Sequence, residues 1–215
     1  MATKGVIFDF DGTILDSGKD GVERLLNVAQ SLGLDCSQER HAFIRSLWGK
    51  TGYDLIEQCW PSVDPMIVLD TWEKFDYETP YPLFPGAKES IEVLGRVNTL
   101  SILTSRREST HAQLAFNELR NSFTFVHTLQ ECPQPKPHPA SIEPLLKRYE
   151  ALGVRKESLV YVGDSVHADW QLAREVGIQF LAVSWGQSAP EEFLASGVQP
   201  GQIVSTFSQL SKKLI

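Results

Sequence analysis

Gly5 to Phe10 form a short apolar run, interrupted at Asp9 and closed by Asp11 and Gly12, which reads as a buried strand. The spacing then changes. Val22, Leu25, Leu26, Ala29 and Leu32 recur at helical intervals until Gly33 stops them. Further helices are predicted at 38–48, 53–59 and 65–78, with no strand among them, until the proline-rich stretch Thr79-Pro80-Tyr81-Pro82-Leu83-Phe84-Pro85-Gly86 ends the block. Beyond Gly86 helices and strands alternate: helix 87–96, strand 99–103, helix 108–119, strand 124–128, a helix after Pro139, strand 159–162, helix 168–176 and strand 179–183. Alternation of this kind predicts an α/β fold, a parallel sheet with helices on both faces. The expected organisation is a discontinuous α/β core, 1–15 plus 84–215, with a helical segment, 16–83, inserted between.

Composition narrows the class. The 215 residues exceed one average domain and fall short of two, as a core with an insertion requires. Hydrophobic residues are 42% and charged residues 22%, ordinary globular usage that argues against a disordered chain. The net charge of -7 argues against nucleic acid as a habitual partner, which needs a basic footprint. The acidity is uneven: 16–83 holds six Lys and Arg against twelve Asp and Glu, so most of the excess lies there. No apolar run approaches the ~18 residues of a membrane span, and the N-terminal Met1-Ala2-Thr3-Lys4-Gly5 leads into an apolar run too short for a signal peptide. Cys36, Cys59 and Cys132 are scattered and lack metal spacing, which suggests reduced thiols. A cytoplasmic protein without nucleic-acid or membrane partners is the expectation, either a monomer or a homodimer.

Ligands of parallel α/β sheets bind beyond the carboxyl ends of the strands, so those ends carry the candidate chemistry. The first delivers Asp9-Phe10-Asp11-Gly12-Thr13. Two neighbouring carboxylates repel unless a cation is present or one keeps a proton. The pair suits a divalent metal with one acid as nucleophile and the other as acid/base, although Asp-Gly is also common turn chemistry. The second delivers Thr104-Ser105-Arg106, either a phosphoryl-oxygen cradle or a simple helix cap. Alternating prolines in Pro133-Gln134-Pro135-Lys136-Pro137-His138-Pro139 stiffen the loop around Lys136, which could neutralise phosphate charge or merely sit in a rigid connector. Gly163-Asp164-Ser165-Val166-His167-Ala168-Asp169 offers a second acidic pair. There Asp164 could complete a metal site, Asp169 could simply favour the helix dipole, and His167 reads as a surface or packing histidine.

Taken in order, Asp9-Phe10-Asp11-Gly12-Thr13, Thr104 after an apolar strand, Lys136-Pro137, and Gly163-Asp164 with Asp169 resemble the haloacid dehalogenase-like hydrolase superfamily. Pro85-Gly86 resembles the usual entry to the first helix after that superfamily's cap, and Trp185-Gly186 after the last core strand looks like its phosphoglycolate-phosphatase branch. The resemblance implies a Rossmann-like core with a helical cap inserted after the first motif. It implies Asp9 as the nucleophile that becomes an aspartyl-phosphate and Asp11 as the acid that protonates the leaving group and then activates water. It implies Mg²⁺ held by Asp9, the backbone carbonyl of Asp11, and Asp164, with Asp169 as an outer or water-bridged ligand. Thr104 and Lys136 would hold the phosphoryl group and the nucleophile, and Ser105 is a further phosphate-binding candidate beside Thr104. An acid at Asp11 sets the chain apart from the superfamily's dehalogenases and ion pumps and suits phosphate esters, whose leaving oxygen needs a proton.

The reading that follows is a Mg²⁺-dependent phosphatase of a small phosphorylated metabolite, phosphoglycolate-like. A β-phosphoglucomutase-like mutase and a non-catalytic phosphate-sensing module are the alternatives. Cap contacts to the leaving group are expected from Arg45, Lys50 and Thr51, or these are solvated helix ends. Phe43, Trp48, Trp60, Trp72 and Phe75 are expected to form the core of the helical segment.

Overall fold

The computed structural model describes residues 4–215, so the first three residues of the expected core segment lie outside it. The opening apolar run is strand β1 (Lys4–Phe8), one residue short of Asp9. Four helices follow: α1 (Gly18–Ser31), α2 (Gln38–Leu47), α3 (Gly52–Cys59) and α4 (Pro65–Glu78). Their starts are written locally. Ser37 accepts from the Arg40 N–H, Thr51 from that of Asp54, and Asp64 from that of Met66, with Pro65 in the first turn of α4. The remainder alternates: α5 (Ala87–Gly95), β2 (Asn98–Leu103), α6 (Ser109–Phe116), β3 (Phe125–His127), α7 (Glu143–Ala151), β4 (Leu159–Gly163), α8 (Gln171–Val176) and β5 (Gln179–Val183). After β5 come α9 (Pro190–Ala195), β6 (Ile203–Val204) and α10 (Phe207–Leu214), a stretch for which the sequence pattern offered no element.

The six strands form one parallel sheet in the order β3-β2-β1-β4-β5-β6, a Rossmann-like α/β fold. Successive β1 residues point to opposite faces. Val6 and Phe8 enter a core with Ile91, Leu94 and Leu210, while Ile7 enters another with Leu145, Tyr161 and Phe180. The chain leaves β1 toward β2 on one side and returns later to β4 on the other. A crevice at the carboxyl ends opens at this switch point.

Helices α1–α4 surround a third apolar cluster that includes Val22, Leu25, Ile44, Leu55, Ile56 and Val68. Of the aromatics expected in this cluster, Trp60 is buried and donates from Nε1 to the Asp35 carbonyl (3.0 Å). Phe43 and Phe75 are each 41% exposed, a correction to the expectation, because their helix positions face water rather than the cluster. Trp48 and Trp72 are half-buried against its edge, with ring centroids 5.9 Å apart. Gly21 makes room for Trp48, since a Cβ there would fall 2.7 Å from the indole ring. Two local expectations also shift. Helix α6 ends at Phe116 rather than Leu119, and a wider helical turn over Val166–Trp170 precedes α8. Among the described residues no helix is long and apolar enough to cross a membrane.

Candidate active site

The pairing of β1 with β4 sets Phe8 beside Val162, so the residues that follow each strand emerge together at the switch point. Asp9 continues the ladder by one bond, its N–H donating to the Val162 carbonyl (2.8 Å). Gly12 then turns the chain with φ +82°, a conformation that favours glycine, and a Cβ there would lie 2.1 Å from Asp164 Oδ2. One carboxylate oxygen from each of Asp9, Asp164 and Asp169 lies within 4.8 Å of the others, and all three residues are buried.

Lys136 enters this cluster from the proline-rich loop. Its ammonium donates to Asp9 Oδ1 (2.6 Å), Asp169 Oδ1 (2.8 Å) and the Tyr161 hydroxyl (3.2 Å). Burial disfavours the charged form, yet Asp169 and Asp9 hold the Lys136 pKa well above the usual lysine value. Asp169 is fully engaged. Its Oδ1 also accepts from Tyr161 (3.1 Å), and its Oδ2 from the backbone N–H of Asp164 (3.1 Å) and Ser165 (3.0 Å). It therefore aligns Lys136 and the Asp164 loop. Asp164 Oδ2 accepts from the Gln187 N–H (2.7 Å).

One ammonium faces three buried carboxyl groups, and the pKa values of Asp9 and Asp164 show the imbalance. Burial pushes Asp9 up to about 7, against the opposing charge of Lys136. Burial, followed by the charges of Asp9 and Asp169, pushes Asp164 well above the usual carboxylate range. A cluster of hard oxygen donors with surplus negative charge fits a small divalent cation in both ligand chemistry and charge.

Asp11 has a different environment. Arg106 grips it with both arms of the fork, Nε to Oδ2 (2.9 Å) and Nη2 to Oδ1 (2.6 Å), and Ser17 Oγ donates to Oδ1 (2.7 Å). Burial alone would raise the Asp11 pKa, but the charge and hydrogen bonds of Arg106, with Ser17, reverse this and hold it below the usual value. Arg106 also donates from Nη1 to Asp76 on α4, and Asp76 accepts from Arg24 on α1 (3.1 Å). Both guanidinium groups lie over the Tyr81 ring, at 3.6 Å for Arg24 and 4.9 Å for Arg106. This chain of charges ties the helices to the sheet beside Asp11.

Thr104 is buried at the end of β2, where its hydroxyl accepts from the Arg106 N–H (3.0 Å). Thr104, Ser105 and Lys50 all border the cavity over the acidic cluster, and Lys50 Nζ donates to Gln58 (3.0 Å). Arg45 is not brought to the cavity. It stands on the outer surface against His41 (3.0 Å) and Glu23 (3.7 Å). Thr51 is occupied in capping α3. His167 is exposed, as read from the sequence. Sequence reasoning assigned no role to Arg106, Ser17, Asp76, Tyr161 or Gln187. Arg106 had a local signal, standing directly after Thr104-Ser105, while the others become visible only through distant contacts.

Gly186 closes the site from the loop after β5. A Cβ there would sit 2.3 Å from Asp164 and 2.4 Å from the Gly12 carbonyl. Gly186→Ala is expected to cost about 1–3 kcal/mol of stability through overpacking. The affinity of the acidic cluster for a divalent cation should fall as Asp164 is displaced. Urea denaturation and a Mg²⁺ titration check both, and an unchanged midpoint would contradict the close fit.

Comparison with known proteins agrees with this arrangement. The family profile described as "Haloacid dehalogenase-like hydrolase" matches residues 6–183. A Dickeya dadantii protein named "Probable phosphatase IndB" is 28% identical over 95% of this chain and 90% of its own length. The "Phosphoglycolate phosphatase" of Photorhabdus laumondii is 27% identical over 96% of this chain and 90% of its own length. Among solved structures, a haloacid dehalogenase-like hydrolase from Streptococcus pneumoniae superimposes with a TM-score of 0.77 at 21% identity, covering 99% of each chain.

Proposed function

Because the chain belongs to the haloacid dehalogenase-like hydrolases, we propose that it is a Mg²⁺-dependent phosphatase of small phosphate monoesters working through an aspartyl-phosphate at Asp9. The observation that carries this reading is the buried Lys136 bridge to Asp9 beside Asp164, at the switch point of the sheet. Phosphatase names among the relatives support it.

In this reading Lys136 fixes Asp9 through Oδ1 and directs the carboxylate at phosphorus. An Asp9 oxygen attacks, the ester P–O bond breaks, and the leaving oxygen takes a proton from Asp11. A water then attacks the acyl-phosphate, gives its proton to Asp11, and inorganic phosphate departs with Asp9 restored. The clamp of Arg106 and Ser17 presents Asp11 as a carboxylate, the form needed to receive the water's proton. Donating a proton in the first half requires the protonated acid and so a loosening of that clamp. Mg²⁺ would be held by Asp9, the carbonyl of Asp11, and Asp164, and when bound it supplies charge neutralisation to the phosphoryl oxygens. Thr104 and Ser105 would receive those oxygens. Helices α1–α4, within 16–83, serve as a cap on the core 1–15 and 84–215, and the Arg106–Asp76 pair fastens the two together. The cap excludes water from the reacting centre.

A panel of phosphorylated metabolites tests the proposal. Phosphate release is expected with Mg²⁺ and should fall at least about a hundredfold with EDTA, given the several kcal/mol of transition-state charge stabilisation a metal supplies. Release that is indifferent to EDTA, or none from any ester, would overturn it.

A further inference from the structure

The space above Asp9 is larger and more apolar than a two-carbon leaving group needs. The cavity measures about 450 Å³, within the roughly 300–1,000 Å³ range of pockets that enclose drug-sized ligands. Trp48, Tyr53, Leu69 and Trp72 line it from the helices, and Phe84 and Trp185 from the core side. Trp48, Leu69 and Trp72 press one side against the helical cluster and leave the other partly uncovered, while Tyr53 is 45% exposed. Their helix positions place these side chains over the phosphoryl site rather than wholly inside the helical core.

The charges in the same space point the same way. Arg106 is committed to Asp11 and Asp76. Arg107 is committed to Asp70 (2.8 Å) and Glu73 (3.0 Å). Lys50 is exposed and hydrogen-bonded to Gln58. Each arginine here thus carries two carboxylates. A leaving group with its own carboxylate or second phosphate would have to break one of these pairs or rely on Lys50 alone. An uncharged ring would instead cover half-buried aromatic surface and gain from its removal from water.

Building on the phosphatase reading, we infer that the natural leaving group is an uncharged, ring-sized, largely apolar alcohol, and that the chain's substrates are phosphate monoesters of such alcohols rather than phosphoglycolate. Trp48, Leu69 and Trp72 form the wall that recognises it, with Tyr53 at the rim.

Equilibrium binding to the Asp9→Asn protein with Mg²⁺, measured by calorimetry, tests the inference without turnover. The probes are 1-naphthyl phosphate, 2-phosphoglycolate, glucose 6-phosphate and inorganic phosphate. 1-Naphthyl phosphate is expected to bind at least about tenfold more tightly than 2-phosphoglycolate or glucose 6-phosphate, the scale of one well-buried apolar group. The ratio of its affinity to that of inorganic phosphate should drop at least about threefold when Leu69→Asn is added. Tyr53→Ala, an exposed position that leaves the helical core intact, should lower the ratio in the same direction. Equal or weaker binding of the naphthyl ester, or a ratio unmoved by both substitutions, would overturn the inference. Phosphate release by the unmodified protein from the same esters is scored separately. No release from any of them or from the wider metabolite panel would end the phosphatase reading, whereas release with 2-phosphoglycolate preferred would end only the ring-alcohol assignment.

Discussion

Asp9→Asn is expected to lower phosphate release by about 10⁴-fold or more, the scale seen when a covalent nucleophile is removed. The amide keeps the size and shape of the carboxyl group but lacks the anionic oxygen that would attack phosphorus. Asp9 is buried between Lys136 and the Asp164 loop, so no neighbouring side chain can slide into its place: Asp164 is held by the Gln187 N–H, Asp169 by four donors, and Asp11 by Arg106 and Ser17. Steady-state phosphate release from the best ester of the panel measures the loss, and circular dichroism checks that the fold is retained. Turnover within tenfold of the unmodified protein would sink the nucleophile assignment.

Lys136→Met should strike both stability and turnover. The ammonium is buried and shared by Asp9, Asp169 and Tyr161. Its removal leaves three buried carboxyl groups without their fixed cation. Breaking a buried charge set by deleting one partner costs about 3–5 kcal/mol. In EDTA the urea midpoint should fall accordingly. Added Mg²⁺ should recover more stability in the variant than it adds to the unmodified protein, because the acids then have no other positive partner. Turnover should drop about 10²–10³-fold, comparable to the loss of one preorganised electrostatic contact in other active sites. An unfolding free energy within about 1 kcal/mol of the unmodified protein, together with turnover within tenfold, would overturn the role of Lys136 as the cation of the acidic cluster.

The segments that bear these residues were legible in the chain itself. An apolar run closed by Asp9 and Asp11, another closed by Thr104, a stiff proline loop around Lys136, and a third run closed by Gly163-Asp164 each carry their signal within a few residues. Hydrophobic periodicity is local, so it reports where strands and helices lie and which ends face solvent. The parallel α/β class and the helical character of 16–83 follow from it. The end of the chain was harder to read. Phe207, Leu210 and Leu214 bury one face of α10, but a helix this short gives only a few periodic positions.

Only the tertiary structure decided what those ends meet. Asp9 meets Asp164 because β4, not the next strand in sequence, lies on the open side of β1. Asp11 lies apart from the acidic cluster in the grip of Arg106, which reaches on to Asp76 of α4. Lys50 borders the cavity while Arg45, five residues earlier, faces Glu23. Trp48 and Trp72 were read as core, yet each turns one side to the cavity over the acidic cluster. The reason is the same throughout. The local pattern determines which residues are buried or placed at a strand end, whereas strand order and the pairing of buried charges arise from contacts between distant segments, which no window of the sequence contains.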